Sequence, residues 1–334
     1  MAATKYGDIN QRTAAYAEKT MLEHAEPILV LEKFAQTKPL PKNTADNVKF
    51  RRPIPYNVST SQLVEGVTPV PKQMQYEDVS VSMGQYGDVI EISDRVADMA
   101  EDPVLRDAAM LAGEQAAETK ELIMWGVLRA GTNVAYSGTG TPAARTDVND
   151  VITLALLRNA IRNLKQQRAK TITSMVSASP KYATEAVAPA FIAFAHTDVE
   201  QDLRDMDGFT PVERYGSFQP VSDHECGKVE QTRFILSPVL EPFTGAGSGT
   251  ANGCVTTGGN VDVYPVVMVS KNSYATVPLK GAGSMSPRVV TPDRIDKSDI
   301  LGQRGYVGWK MYFAALILNE AWVQRIEVGV TSLA

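Results

Sequence analysis

Residues 48–92 read VKFRRPIPYNVSTSQLVEGVTPVPKQMQYEDVSVSMGQYGDVIEI, and this stretch decides the fold. It opens on VKFRR (48–52), which alternates like a strand. Pro53, Pro55, Pro69 and Pro71 then keep the middle irregular, because each removes an amide donor and fixes its own φ. Past them Val79, Val81 and Met83 alternate with Ser80 and Ser82, the period of a half-buried strand. Gly84 and Gly87 interrupt the pattern, which resumes at Val89, Ile90 and Ile92. The expectation is a long two-stranded ribbon with a proline-rich tip. An isolated ribbon of two strands is marginal in water, and no helix close in sequence offers it a surface. The tip therefore calls for a neighbouring copy, with Leu63, Val64, Val67, Pro69, Pro71 and Lys72 as its contact residues. Arg51 and Arg52 form a compact basic pair at the base, open to an acidic neighbour or DNA, or simply a solvated edge.

Upstream, residues 1–43 hold one helical stretch (13–34) broken by Pro27, followed by KPLPKN, which Pro39 and Pro41 keep extended. Such a segment buries little of its own surface and reads as an arm lying on something else. Downstream comes the clearest helix. Asp102 is placed to cap it and Pro103 to occupy its first turn, and the body runs to Ala130 with Gly131 as the stop. Leu105, Ala108, Ala112, Ala116, Thr119 and Ile123 fall on one face at steps of three or four. A second helix is expected over 148–169, a buried strand over 172–178, and helical pieces broken at Pro189 over 180–207. Residues 209–299 show short strands and turns, with GAGSGTANGC (245–254) as a flexible loop or flap. Two apolar strands, 306–318 and 322–330, close the chain. The class is α+β, without βαβ alternation and without an internal repeat.

The 334 residues carry 33 Lys and Arg against 38 Asp and Glu, a net charge of -5. That balance argues against a protein whose main task is gripping nucleic acid, while allowing one that faces DNA without holding it. Two cysteines, Cys226 and Cys254, are too few for a disulfide scaffold and read as free thiols in a reducing compartment. The N-terminal residues hold no apolar signal segment, and the apolar run 313–318 is far too short for a membrane span, so an intracellular, membrane-free protein is expected.

Catalytic motifs fail on spacing. Gly227-Lys228 is followed by Val229 where a phosphate loop needs Ser or Thr, and Gly281-Ala-Gly283 lacks the third glycine of a dinucleotide fingerprint. Ser248 lies in Gly-Ser-Gly, not in a nucleophile elbow. His224 and Cys226 sit close in sequence, but a cysteine nucleophile usually meets its base across the fold. The acidic run Asp198, Glu200, Asp202, Asp205, Asp207 fails as a calcium loop, since Leu203 and Arg214 would occupy ligand positions, and reads as a solvated acidic face. No catalytic residue, metal ligand or cofactor site is expected.

A series of segments in order along nearly the whole chain then carries a resemblance. They include AEPILVLEKF from Ala25, KPLPKN from Lys38, VKFRR from Val48, LVEGVTP from Leu63, WGVLRAGTN from Trp125, GFTPVERYG from Gly208, VEQTRFILSP from Val229 and LGQRGYVGWK from Leu301. On these the chain resembles the major capsid proteins of tailed phages, most closely the coat family of N-four-like podoviruses. The resemblance implies an HK-ninety-seven-like capsid fold. Its parts would be an N-terminal arm (1–45), an extended β-hairpin loop (46–95), a peripheral domain with a long spine helix (96–170), an axial domain (171–318) and a return to the peripheral domain (319–334). It further implies self-assembly into hexamers and pentamers of an icosahedral head around double-stranded DNA. Portal, scaffolding or decoration proteins would be partners, packaged DNA would be met non-specifically, and assembly would take place in the host bacterial cytoplasm before the protein resides in the virion capsid. Some relatives lock the shell by joining a lysine to an asparagine; Lys72 sits where such a lysine would lie, and a solvated charge is the simpler reading. An encapsulin-type shell of the same fold, a soluble α+β hydrolase and a tail or decoration protein are the rival expectations.

Overall fold

The computed structural model describes residues 29–43, 45–60, 62–63, 65–95, 104–176, 184–215, 220–280, 286–292 and 300–333. Most of the expected arm, Val64, the Asp102–Pro103 helix start and the Gly281 loop lie outside the described residues. In chain order the strands and longer helices are β1 (Gln36–Thr37), β2 (Asn47–Pro53), β3 (Tyr76–Ser82), β4 (Gly84–Ser93), α1 (Val104–Leu128), β5 (Val134–Tyr136), α2 (Leu154–Gln166), β6 (Ile172–Val176) and β7 (Thr184–Ala195). There follow α3 (Glu200–Arg204), β8 (Phe209–Pro211), β9 (Glu225–Val229), β10 (Thr232–Leu236), β11 (Thr256–Thr257), β12 (Asn260–Val261), β13 (Tyr264–Val269), β14 (Tyr274–Pro278), β15 (Ser286–Val290), β16 (Arg304–Ile317) and β17 (Val323–Val328).

An eight-stranded mixed sheet, ordered β5-β17-β13-β7-β10-β9-β8 with β6 beside β7, forms the centre of the downstream half. Every residue of β10, β13 and β17 is buried, because both faces of this sheet are covered. Ile192, Phe194, Ile235, Val267 and Val269 pack on one side with Ala112, Ala116 and Trp125 of α1. Phe191, Ala193, Phe234, Val266, Met268 and Ile326 pack on the other with Leu157, Ala160, Ile161 and Leu164 of α2. The two helices therefore lie on opposite sides of the sheet.

The alanine-rich stretch expected to be helical over 180–207 is instead β7, with only short helical turns after it. Its AFIAFA end pairs with β10 on one edge and β13 on the other. Helix propensity separates residues by only about 0–0.7 kcal/mol each, too little to oppose two rows of sheet hydrogen bonds and burial on both faces. Pro189 is exposed and does not break the strand.

A five-stranded sheet, ordered β1-β14-β16-β15 with β4 also on β16, packs against α1. Here the ribbon expectation needs correction. β4 does not continue the ribbon; it pairs with β16 over ten residues, from Ser93 opposite Arg304 to Gly84 opposite Phe313. Gly308 is required there, since a Cβ on it would lie 2.6 Å from the Asp88 carbonyl oxygen. At the C-terminal end β16 belongs to the sheet on α1, and β17 lies between β13 and β5 in the eight-stranded sheet.

Three further expectations change. α2 starts at Leu154, not near 148, because Thr153 caps it with its hydroxyl, accepting from the Leu156 amide. The glycine stretch 245–254 is no flap: Gly247 and Ser248 amides donate to Val261 and Val148 carbonyls at 2.8 and 2.9 Å, and Gly245 donates to Asp262 at 2.6 Å. Asp202, placed in a solvated acidic face, is buried and accepts from the amide and hydroxyl of Thr331, at 3.1 and 2.6 Å.

Candidate functional site

β2 and β3 form the ribbon, paired antiparallel from Asn47–Ser82 to Pro53–Tyr76. Alternation sorts its residues. Val48 and Phe50, with Val79 and Val81 opposite them, turn toward Ala275, Val277, Ala314 and Leu316 of the five-stranded sheet. The base of the ribbon is thus covered by its own chain, which the sequence reading did not anticipate. Arg51 and Arg52 stand on the strand edge and are spent within the ribbon. Arg51 meets Asp78 through two hydrogen bonds of 2.7 and 3.0 Å, and Arg52 Nε meets Glu77 at 2.8 Å. The bond to Arg51 holds the Asp78 carboxyl below the usual carboxylate range. These exposed pairs align the two strands and contribute little stability.

Beyond Pro53 the chain leaves the body. Residues 54–75 contain no regular strand or helix among those described, and each described one is exposed. The loop is tied at its neck by the Ile54 amide on the Gln75 carbonyl (2.9 Å) and by Lys72 Nζ on the Asn57 carbonyl (3.0 Å). Gly66, at φ 79°, makes the turn at the end. Leu63, Val67 and Val70 are 78, 63 and 89% exposed. Eight of the 14 large apolar side chains found exposed among the described residues lie between Ile54 and Tyr76. Scattered exposed apolar residues need no explanation; here more than half are gathered in one protruding loop. Of the expected contact residues, Leu63, Val67, Pro69, Pro71 and Lys72 are on this loop and exposed, and Arg51 and Arg52 are not on its tip.

The end of the expected arm is the second departure. Val30 and Leu31 are fully buried, and both of their amides donate to the Glu121 carboxylate of α1, that of Leu31 at 3.0 Å. Lys120 pairs with Glu32, and Tyr274 donates its hydroxyl to the Leu31 carbonyl at 2.5 Å. Gln36 and Thr37 then add a parallel strand to β14. From Val30 to Leu40 the chain is therefore seated on its own body. Burial pushes the Glu121 carboxyl up to about 7, against the opposing pull of the two amides. The missed signal was in α1: the alanine stripe is buried as expected at Ala108, Ala112 and Ala116, then the buried face drifts onto Lys120 and Glu121. A charged pair inside an apolar stripe is a partner waiting to be placed.

Chemistry elsewhere points away from nucleophilic catalysis. Burial pushes the Cys226 thiol up to about 11, leaving it protonated at neutral pH. His196 accepts from the Asp198 amide at 3.2 Å, a turn-capping role. Among the described residues no group of three or more His, Cys, Asp or Glu could hold a metal ion, and no helix is long and apolar enough to cross a membrane.

Comparison with known proteins follows the same direction. A family model described as phage capsid protein matches residues 76–326. The major capsid protein of Pseudomonas phage KPP21 is 21% identical over 226 residues, covering 63% of this chain and 56% of the relative; the chain thus spans just over half of that protein's length. The capsid of Ralstonia phage GP4 superposes with a TM-score of 0.67 at 12% identity, over 92% of this chain and 91% of that one. The cyanophage Pam1 capsid subunit gives 0.55 at 15% identity, over 99 and 95%. The SrpI encapsulin of Synechococcus elongatus gives 0.50 at 12% identity, over 100 and 99%. The α+β fold is that of the HK-ninety-seven-like shells.

Proposed function

The chain belongs to the phage capsid protein family, and from that premise we propose that it is a major capsid protein whose copies form the hexamers and pentamers of an icosahedral head around double-stranded DNA. The single observation that carries the assembly step is the protruding loop 54–75, whose described large apolar side chains stand exposed on their own subunit. A patch on one copy that fits a different patch on the next makes a heterologous contact, and such contacts repeated about an axis close into rings. Each subunit makes several at once, so the high effective concentration of neighbours holds the shell even where one contact is modest. The role is structural and not catalytic.

In this reading α1 and the five-stranded sheet make the peripheral part, and the eight-stranded sheet with α2 makes the axial part. Portal, scaffolding or decoration proteins would join during assembly in the host cytoplasm, and the mature protein would reside in the virion. The encapsulin alternative shares the fold, but the family match and the curated relative are both phage proteins.

Negative-stain microscopy of the expressed protein tests the proposal, with closed shells as the expected result. Removing residues 63–73 should leave a soluble, folded subunit that no longer closes shells. Normal particles from that variant would refute the role given to the loop, and a full-length chain that stays monomeric at every concentration would refute the shell reading itself.

A further inference from the structure

The ribbon differs at its two ends in what it lacks. The tip carries a single acidic residue, Glu65, the only one between Ile54 and Gln75, next to the turn at Gly66 and between Leu63 and Val67. At the other end the base of the ribbon does not lie flush on the body. Phe50 and Val79 of the ribbon, Lys38 beside β1, and Leu318 and Trp322 near the turn between β16 and β17 surround a cleft of about 420 Å³. Each of the four large apolar residues is only half-buried. No acidic side chain lines the cleft, whereas Lys38, Arg51 and Arg52 do. Arg51 and Arg52 are matched within the ribbon by Asp78 and Glu77. Lys38 is not. Its ammonium lies 5.0 Å from the centre of the Phe50 ring and reaches the Lys49 carbonyl at 3.4 Å, and it forms no ion pair among the described residues.

A cleft with apolar walls and one uncompensated cation at its rim fits a short apolar segment that carries one carboxylate, and residues 63–67 have that composition. Aromatic anchors such as Trp322 are where the energy of an interface concentrates, while an ion pair at the rim sets register and choice of partner more than affinity. The tip of the same copy does not fill the cleft, because every described residue from 54 to 75 is exposed. The ties between Ile54 and Gln75 and between Lys72 and Asn57 hold the two limbs of the loop together as it leaves the base. From Pro53 to Gly66 a limb can span up to roughly 40 Å, enough to reach a copy packed alongside.

We infer that the tip of one copy seats in the cleft at the ribbon base of the next, with Glu65 paired to Lys38 and with Leu63 and Val67 against Phe50, Leu318 and Trp322. The inference rests on the shell reading and deepens it by naming the surface of the second copy that the loop meets. Donor and acceptor are then the two ends of one element. The cleft exists only where the ribbon base, β1 and the turn after β16 come together, so a copy accepts its neighbour's tip only while its own ribbon is seated. Such a contact is heterologous and passes from copy to copy until the ring closes.

The test uses the full chain and begins with charge reversal at two exposed positions. Glu65→Lys and Lys38→Glu each place like charges at the rim, and each alone should raise the subunit concentration at which closed shells appear by about fivefold or more. The double variant should return that concentration close to the wild-type value, and a double variant that assembles no better than the worse single one overturns the inference. The contact is then located directly. Shells of Glu65→Cys with Lys38→Cys are treated with a short bis-maleimide and run on a denaturing gel, with each single-cysteine variant as the background from Cys226 and Cys254. Dimers and higher species from the double-cysteine chain alone are the expected result. Shells without that ladder overturn the inference. So does a cross-link confined to monomer, which puts the tip on its own subunit. A ladder that needs Glu65→Cys with Arg288→Cys instead assigns the tip to the groove that Arg288 and Lys310 share over Gly308, and also overturns it. Failure of the shell reading is a separate outcome, seen only as absence of particles from the wild-type chain.

Discussion

Replacing Glu121 should release the chain segment that enters the body at Val30, and the size of the effect follows from burial. The carboxylate accepts the amides of Val30 and Leu31, all three residues being at most 1% exposed. In Glu121→Ala both amides lose their partner with no water to replace it, at about 1–3 kcal/mol each. The pH dependence has a definite sign. Burial raises the Glu121 carboxyl from 4.5 to about 7 in the folded protein. Between those values the folded state holds a proton that the unfolded chain releases, so stability falls as pH rises through that window and the loss is complete above it. The shift corresponds to about 3 kcal/mol. Glu121→Gln keeps the shape, removes the charge and should flatten this part of the profile. Urea unfolding of the soluble subunit from pH 4 to 8 measures the profile, and amide exchange at Val30 and Leu31 localises it. Parallel pH profiles for the wild type and Glu121→Gln would refute the assignment of the proton to this carboxyl. Unchanged exchange at Val30 and Leu31 in Glu121→Ala would refute the attachment itself.

Gly247→Ala places a Cβ 2.8 Å from both the Val148 and Val261 carbonyl oxygens, and the crowding should cost about 1–3 kcal/mol in urea unfolding. Asp202→Ala leaves the Thr331 amide and hydroxyl without their acceptor; a drop in midpoint of the size expected from about 1–3 kcal/mol, accompanied by faster exchange at Thr331, is the expected outcome. With its thiol pushed up to about 11, native Cys226 should react with iodoacetamide at pH 8 far more slowly than in the urea-unfolded chain. Lys72 already donates to the Asn57 carbonyl within its own loop, so mature particles boiled in detergent should run as a single monomer band, and a ladder that disappears in Lys72→Arg would show that this lysine is cross-linked.

How far the chain could be read before its structure was known depended on the range of the interaction. The period-two runs at 48–52 and 79–83, the alanine-rich helix and the exposed proline-rich loop were legible, because strand alternation, helical spacing and missing amide donors are properties of neighbouring residues. The exposure of Leu63, Val67 and Val70 was legible for the same reason: apolar residues among prolines have no local way to be buried. What the sequence left open was pairing between distant segments. Nothing near Gly84 shows that β4 abandons the ribbon for β16, more than 200 residues away. Nothing near Ala190 shows that two partners will hold an alanine-rich stretch as a strand. Arg51 and Arg52 looked free until register set them against Asp78 and Glu77. Nothing in the spacing of α1 shows that Glu121 receives the Val30 and Leu31 amides from about 90 residues upstream. Local geometry is written in spacing, whereas burial, ion pairing and strand partners follow from where the whole chain folds back, and that was decided only by the tertiary structure.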